Sequence, residues 1–285
     1  MVCNQKDMRI DIQRLTKLPT LSYRAEKILN LTSKELTHLD ELVYIIERDP
    51  PIMSKVLGIA NIVYLGHYKP ITTVKEALFT IGFKTLKNIA LSVSIFSFFK
   101  STQEKEKSYI RLFRHSVATG AICQIISEKF LKEASEENFT AGVLHDIGWF
   151  ALHYAFYDHF KKIEEGISQE VSLNKVELNI TGTTHTEIGK WLAETWGLPE
   201  IVCDAIFYHH DLPQNSMKYS KAVALVQLSN FIAGELGYPP FEVKVGLDFY
   251  KDKVYQILKL PDTYELISDE LISEVQDIIK EVENL

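Results

Sequence analysis

Residues 39–61, LDELVYIIERDPPIMSKVLGIAN, decide the class of fold. Apolar side chains recur in this stretch at spacings of three and four residues, the period of an α-helix with one buried face. They are Leu39, Leu42, Val43 and Ile46 in the first part and Met53, Val56, Leu57 and Ala60 in the second. Because proline cannot donate a backbone hydrogen bond and disfavours helical geometry in the residue before it, Asp49-Pro50-Pro51 should end one helix and open the next.

The same period continues over most of the chain. We predict further helices over 72–81, 86–99, 111–129, 138–154, 200–210 and 221–236. Gly82 is expected to end the first of these as a C-terminal breaker. The sequence Thr184-His185-Thr186-Glu187 fits a capping box, and Gly197-Leu198-Pro199 is typical of the end of the helix that it opens. No stretch has a convincing strand pattern, so the predicted fold class is all-α.

Length and composition indicate a folded protein that needs no disulfide. The 285 residues are 46% hydrophobic and 24% charged, which is ordinary for globular chains. The three cysteines are widely spaced with no CxxC pair, which favours a reducing compartment and excludes a cysteine zinc site. Residues 1–14 are too polar for a signal peptide, and the longest uncharged apolar stretch, 88–99, is too short to span a bilayer. We therefore expect a cytoplasmic protein with no membrane partner.

Charge is distributed unevenly along the chain. Residues 1–100 carry 14 basic and 9 acidic side chains, whereas the remainder carries 17 and 29. A polar, charged stretch at 100–108, KSTQEKEKS, lies where the balance changes, and we place a boundary between two helical lobes there. The net charge of −7 disfavours nucleic acid as a partner, with the basic first hundred residues as the only feature in its favour.

The last forty-odd residues predict one amphipathic helix. Its apolar positions recur at spacings of four, four, three and four, namely Ile267, Leu271, Val275, Ile278 and Val282. Such a stripe can pack back onto its own chain or form the seam of a homodimer, and the pattern leaves both open.

Five of the nine histidines, with one aspartate, form a candidate metal site. They are His115, His145, His185, His209 and His210, with Asp146. Burying an imidazole or a carboxylate without a partner is costly, and His145-Asp146 lies inside the apolar run AGVLHDIG. On a helix these two side chains would point about a quarter turn apart and could share a metal. A mixed histidine and carboxylate set suits Fe, Mn, Zn or Ni. The alternative is that the histidines are ordinary core or surface residues held by hydrogen bonds.

The sequence resembles the HDOD family, the HD-related output domain of bacterial signalling proteins, over roughly residues 11–235. Its first half carries LPTLSYRAEKIL, the stretch 39–61 and ITTVKEALFTIGFKTLKNIAL, which are specific to that family. Its second half carries FRHSVATGAI, FTAGVLHDIG, HTEIGKWLAETWGLP and AIFYHH, which are shared with the wider HD superfamily of metal-dependent phosphohydrolases. The resemblance implies an N-terminal HDOD helical lobe at 1–107, an HD-like helical bundle at 108–238 and a C-terminal helical appendage at 239–285.

The resemblance also assigns roles to the candidate ligands. His115 matches the first ligand of the HD superfamily, and His145 and Asp146 match its name-giving pair, in which the aspartate can bridge two metals. The further histidines of the binuclear HD-GYP type are matched by His185, His209 and His210. One or two divalent transition-metal ions are therefore implied. The last aspartate of the superfamily is expected in AVALVQLSNFIA, where Asn230 offers only a neutral oxygen and would be a weak ligand.

Two other positions depart from the HD-GYP pattern. Trp149 stands where those enzymes carry a lysine, and Arg111 stands where a trinuclear site has a glutamate ligand. The letters Gly237-Tyr238-Pro239 match the GYP motif but lie in the wrong place, so we interpret them as coincidence.

Two functions are predicted. The first is a bacterial signal-transduction or regulatory module that binds a metal and acts through a signalling protein partner or a nucleotide. The alternative is a metal-dependent phosphohydrolase or phosphodiesterase acting on a cyclic dinucleotide or another phosphoester. In that alternative two metal ions are bridged by Asp146, the catalytic residue, and by a hydroxide that attacks phosphorus. The departures from the HD-GYP pattern rank this alternative second.

Overall fold

The structure is a computed structural model that describes residues 20–32, 35–64, 70–99, 106–132, 136–167, 172–211, 217–242 and 249–260, together with 272–273 and 276. All regular structure within these ranges is helical, and the described residues form no strand. The predicted all-α class is therefore confirmed.

The helices follow one another with short connections. The first four are α1 Tyr23–Asn30, α2 Leu36–Glu47, α3 Pro50–Val63 and α4 Val74–Phe98. The helices that surround the candidate site are α5 Glu106–Ile125, α6 Glu136–Leu144, α7 Ile147–Ala155, α8 Tyr157–Gly166, α9 Leu173–Thr181, α10 His185–Thr195, α11 Glu200–Tyr208 and α12 Ser220–Glu235. A π-helical turn, Ile126–Phe130, extends α5, and α13 Lys251–Leu258 follows α12.

Local capping signals set two of the helix starts as predicted. At the start of α3 the Asp49 carboxylate accepts a hydrogen bond from the backbone N–H of Ile52 (3.1 Å), and two prolines occupy the first turn. At the start of α10 the Thr184 hydroxyl accepts from the N–H of Glu187, whose carboxylate accepts from the N–H of Thr184. The second cap fixes the start of α10, whose first residue is His185.

The predicted break at Gly82 is confirmed, and the two helical stretches that meet there at a kink together form α4. Gly82 has φ 80° and ψ 165°, a conformation that favours glycine, and the chain resumes helical geometry after it. Helix α4 as a whole has 25 residues and, by length and composition alone, is long and apolar enough to cross a membrane. Half of its most apolar 18-residue stretch is buried inside the protein, and this packing accounts for the apolar composition of the helix.

Aromatic contacts join the second half of α4 to the helices around the site. The ring of Phe96 lies 5.5 Å from that of Phe113 on α5 and 4.6 Å from that of Phe150 on α7. The Tyr109 hydroxyl donates a hydrogen bond to the carbonyl of Phe96 (2.9 Å). Buried residues of both predicted lobes form one continuous hydrophobic cluster, so the domain division at 107 and 238 stays a prediction.

The prediction of one uninterrupted helix over 138–154 is wrong. Helix α6 ends at Leu144 and α7 begins at Ile147, so that His145 and Asp146 form the turn between them. Asp146 leaves helical geometry (φ −101°, ψ 19°), and its carbonyl accepts from the N–H of Trp149 to start α7. In this turn both side chains of the His-Asp pair face one centre, where Nε2 of His145 lies 3.3 Å from Oδ2 of Asp146.

The chain beyond α12 returns to the core. Phe241 is fully buried, the ring of Phe249 stacks on that of Phe231 at 4.4 Å, and α13 packs on α12. The five apolar positions of the predicted C-terminal stripe, between 267 and 282, lie outside the described residues, and the stripe stays a prediction.

Candidate metal centre

The structure brings the six predicted ligands of the site together from four places in the fold. His115 lies in the middle of α5, His145 and Asp146 lie in the α6–α7 turn, His185 is the first residue of α10, and His209 and His210 follow α11. Their ligand atoms form two groups, each with all members within 4.8 Å of one another. One group is His115, His145 and Asp146, and the other is Asp146, His185, His209 and His210.

Asp146 lies between the two groups and faces each with a different oxygen. Its Oδ2 lies 3.5 Å from Nε2 of His115 and 3.3 Å from Nε2 of His145. Its Oδ1 lies 3.4 Å from Nε2 of both His185 and His209. This is the arrangement expected of a carboxylate that bridges two cations.

Backbone carbonyls fix the orientation of three of the histidine rings. Nδ1 of His115 donates to the carbonyl of Tyr238 (2.7 Å), Nδ1 of His145 to that of Gly142 (2.7 Å), and Nδ1 of His209 to that of Ile206 (2.8 Å). Because a carbonyl oxygen can only accept, each Nδ1 carries a proton, and each Nε2 faces the centre, where it offers a lone pair when the ring is neutral. Such outer hydrogen bonds are typical of histidines that bind metals.

The donor set fits a divalent transition metal. Nε2 of His115, Nε2 of His145 and Oδ1 of Asp146 are buried and have no hydrogen-bond partner. Lone pairs that face a carboxylate at 3.3 to 3.5 Å repel it unless a proton or a metal ion lies between them. A cation would satisfy these atoms together, and imidazole with carboxylate oxygen suits Fe, Mn, Zn or Ni.

The ring of His185 is oriented by the carboxylate of Glu177 and not by a backbone carbonyl. The sequence did not predict a role for Glu177. Its Oε1 accepts from Nδ1 of His185 (2.7 Å) and from the backbone N–H of the same residue (3.0 Å). Glu177 and His185 are both fully buried. A sequence signal was present, since Glu177 lies on the buried face of α9, four residues after Leu173 and next to Val176.

Burial keeps three of the histidines neutral. Desolvation lowers the pKa of His115 and of His209 to about 4, and it lowers the pKa of His210 well below the usual value. These rings are therefore uncharged near neutral pH, which is the form that binds a metal.

Neighbouring groups shift the pKa values of Asp146 and His185 in the direction opposite to the effect of burial. Burial alone would raise the pKa of Asp146, but the adjacent His145, His185 and His209 hold it well below its usual range. Burial alone would lower the pKa of His185, but Glu177 and Asp146 raise it to about 9. The Asp146 carboxylate is therefore charged, and His185 must release a proton when its Nε2 takes a metal.

The residues that depart from the HD-GYP pattern have structural roles around the site. The Trp149 ring stacks on that of His185 at 4.6 Å with an interplanar angle of 16°. Arg111 donates to the carbonyl of Pro240 (3.1 Å) and forms ion pairs with Glu164 and with Glu242 (3.0 Å). The segment 237–241 contains the GYP letters that were interpreted as coincidence. It supplies the Tyr238 carbonyl that orients His115.

Asn230 lies on α12 and is almost fully buried. Its Oδ1 has no hydrogen-bond partner, so that oxygen is available to a cation or a ligand. Its predicted role as a weak metal ligand stays a prediction.

Comparison with solved structures identifies the fold. An HDOD domain protein of unknown function from Geobacter sulfurreducens superposes with a TM-score of 0.72 at 23% identity, over 96% of this chain and 98% of that one. A Shewanella amazonensis protein, provisionally named a phosphohydrolase, gives 0.71 at 20% identity over 96% and 97% of the two chains. A Marinobacter aquaeolei protein, provisionally named a signal transduction protein, gives 0.70 at 20% identity over 97% of this chain and 62% of that one.

Sequence comparison assigns the family. An uncharacterised protein of Treponema pallidum is 24% identical over 231 residues, which are 79% of this chain and 44% of that protein. The chain thus spans less than half the length of this curated relative. The family described as the HDOD domain matches residues 18–212, well over half of the chain. Together with the helical architecture, this match shows that the chain belongs to the HDOD family.

Proposed function

We propose that this protein is a signalling or regulatory HDOD module that binds one or two divalent transition-metal ions at the His–Asp centre. One observation carries the proposal. The Asp146 carboxylate faces two groups of histidines whose ring orientations are fixed from behind, and buried donor atoms on both sides have no partner. A protein that kept these residues only for its core would gain nothing from leaving Nε2 of His115, Nε2 of His145 and Oδ1 of Asp146 unpaired.

The surroundings of the site favour regulation over turnover. Among the six ligands, only His210 is partly exposed. Trp149 packs on His185, and Arg111 is occupied by Glu164 and Pro240, so neither presents a cation to a phosphate group. The metal would then hold helices α5, α7, α10 and α11 in one arrangement, which a signalling partner protein or a nucleotide would recognise. We place this module in the cytoplasm, and its C-terminal stripe at 267–282 offers a route to a homodimer.

Hydrolysis of a phosphoester is the second candidate, favoured by the position of Asp146 between the two groups. When bound, two metal ions at such a centre supply a hydroxide at neutral pH and polarise a phosphoryl oxygen. The chain's own part is to hold the ions with imidazoles of fixed orientation and to bring the charged Asp146 carboxylate between them. A cyclic dinucleotide or another phosphoester is the substrate class proposed. Two similar solved structures carry phosphohydrolase names, which agrees with this candidate.

Metal analysis followed by a hydrolysis assay tests both candidates. The purified protein would be stripped with a chelator, reloaded with Mn²⁺ or Fe²⁺, and examined by elemental analysis. It would then be offered a chromogenic phosphodiester and a cyclic dinucleotide. Asp146→Ala should lose metal, whereas Asp158→Ala, which changes an exposed aspartate of α8, should keep it.

The outcomes separate the two candidates. Metal uptake without turnover supports the regulatory module. Turnover that is lost in Asp146→Ala and kept in Asp158→Ala supports the hydrolase. A reloaded protein that holds no metal contradicts both.

A further inference from the structure

We propose that the two halves of the centre are unequal, and that the half formed by Asp146, His185, His209 and His210 binds metal more tightly and fills first. Glu177 is the positioning residue that makes this difference. We refer to this set as the three-histidine half, and to His115, His145 and Asp146 as the two-histidine half. The inference rests on the proposed metal binding and goes beyond it, because metal binding alone requires no order.

The number of donors is the first asymmetry. The three-histidine half brings three imidazoles and one carboxylate oxygen within 4.8 Å of one another, which is enough for a four-coordinate ion. The two-histidine half brings two imidazoles and the other oxygen of the same carboxylate. A fourth donor from the chain would have to come from a neutral oxygen such as that of Asn230. The half with more donors should hold its ion more tightly.

The groups behind the histidines are the second asymmetry. His115 and His145 donate from Nδ1 to neutral backbone carbonyls, whereas His185 donates to the Glu177 carboxylate at 2.7 Å. A carboxylate behind the ring makes the opposite nitrogen a stronger donor to a metal. Only the three-histidine half has this support.

Glu177 also places a buried carboxylate beside the three-histidine half. The residue is fully buried, its Oε2 has no hydrogen-bond partner, and a buried charge is costly unless an opposite charge lies near it. A cation held by Nε2 of His185 would lie across one imidazole ring from this carboxylate. The Asp146 charge is common to both halves, so it cannot produce the difference.

Rotation of the His185 ring is restricted on two sides. Glu177 Oε1 accepts from both Nδ1 and the backbone N–H of His185, which ties the ring to the first turn of α10. Trp149 covers one face of the ring. The Nε2 atom is therefore directed to the centre before any ion arrives, which lowers the cost of ordering the site on binding.

Titration of the full-length apoprotein with Co²⁺, followed by calorimetry and by cobalt absorption, tests the order of filling. The wild type should bind in a tight and a weak phase. Glu177→Gln keeps an oxygen that can accept from His185 but removes the charge, and it should weaken the tight phase by about ten- to a hundredfold while leaving the weak phase unchanged. The matched control is Glu194→Gln, the same change at an exposed position near the other end of α10, which touches no proposed ligand and should alter neither phase.

Two ligand variants assign the phases independently of Glu177. His115→Ala should remove only the weak phase, and His210→Ala should weaken the tight one. A single tight equivalent that survives His115→Ala and is weakened in His210→Ala also supports the proposal.

Other outcomes overturn the inference. Two phases of equal affinity, a tight phase that is lost in His115→Ala, or an equal effect of Glu177→Gln on both phases would each contradict unequal halves while leaving metal binding intact. An apoprotein that binds no cobalt would contradict the inference and the proposed function together.

Discussion

The backbone carbonyl of Tyr238 lies 2.7 Å from Nδ1 of His115, although 123 residues separate the two in the sequence. The segment after α12 therefore completes a ligand on α5. Arg111 holds this segment in place from one turn before His115, through the carbonyl of Pro240 and the carboxylates of Glu164 and Glu242. The orientation of the first ligand thus depends on an anchor outside the site.

Arg111→Ala should loosen this anchor and weaken metal binding by the two-histidine half. The pair with Glu164 is mostly buried, since the two side chains are 20% and 16% exposed. Without Arg111 the Glu164 carboxylate keeps little contact with solvent and loses this partner, which should lower the free energy of unfolding by about 1–3 kcal/mol. Urea denaturation measures the loss of stability, and cobalt stoichiometry measures the loss of metal binding.

The matched control for Arg111 is Glu242→Ala, which removes only the outer partner. Glu242 has a side chain that is 79% exposed, so this change should cost about 1 kcal/mol or less. If both variants lost the same stability and kept the same cobalt stoichiometry, Arg111 would have no role in positioning His115.

Gly148→Ala should separate two helices that meet at the centre. A Cβ on Gly148 would lie 1.9 Å from the carbonyl oxygen of His185 and 3.0 Å from the N of Gly189, and both are backbone atoms that cannot rotate away. The resulting shift of α10 should cost about 1–3 kcal/mol or more of unfolding free energy and displace His185. Thermal melting and metal content measure the two effects.

Gly234→Ala is the comparison for this substitution. A Cβ on Gly234, inside α12, meets nothing within 4 Å, so alanine should stabilise the protein by about 0.5–1 kcal/mol through its higher helix propensity. Equal stability of both glycine variants would show that α7 and α10 are not in the close contact described.

Local signals were sufficient to predict the class of fold, and the histidine pattern predicted the candidate ligands that the structure brings together. The caps at Asp49 and Thr184 act within four residues of themselves, so sequence alone identified where α3 and α10 begin. The six candidate ligands were predicted because the resemblance covered their motifs. Neither Glu177 nor the Tyr238 carbonyl was predicted: the contact of Glu177 with His185 requires the turn between two consecutive helices, and that of Tyr238 with His115 requires the packing of segments 123 residues apart.

The turn at His145-Asp146 was missed for a related physical reason. The run over 138–154 is apolar enough for one helix, and the break depends on α7 crossing α10 closely at Gly148, a tertiary contact that periodicity does not contain.

Removal of metal should lower the melting temperature, because the ion binds the folded centre and not the unfolded chain. At a free concentration one hundred times the dissociation constant, one ion contributes about 2.7 kcal/mol to the free energy of unfolding. Each kcal/mol corresponds to roughly 2–4 °C for a chain of this size, so a chelator should lower the melting temperature by about 5–10 °C.

The Asp146→Asn variant should melt at the same temperature with and without chelator, whereas Asp158→Asn should respond like the wild type. A wild type that does not respond to chelator after reloading would contradict a metal that stabilises the fold.

Trp149 should report metal binding by its fluorescence. The chain has three tryptophans, and the ring of Trp149 stacks directly on that of His185, whereas Trp196 packs 6.2 Å from Phe99. Co²⁺ bound at Nε2 of His185 should quench Trp149 across the stacked imidazole. In Trp191→Phe/Trp196→Phe the quenching should persist, and in Trp149→Phe, which keeps an aromatic ring against His185, most of it should be lost. If Trp149→Phe kept the full response while the double variant lost it, cobalt would bind near Trp191 or Trp196 and not at the centre assigned to it.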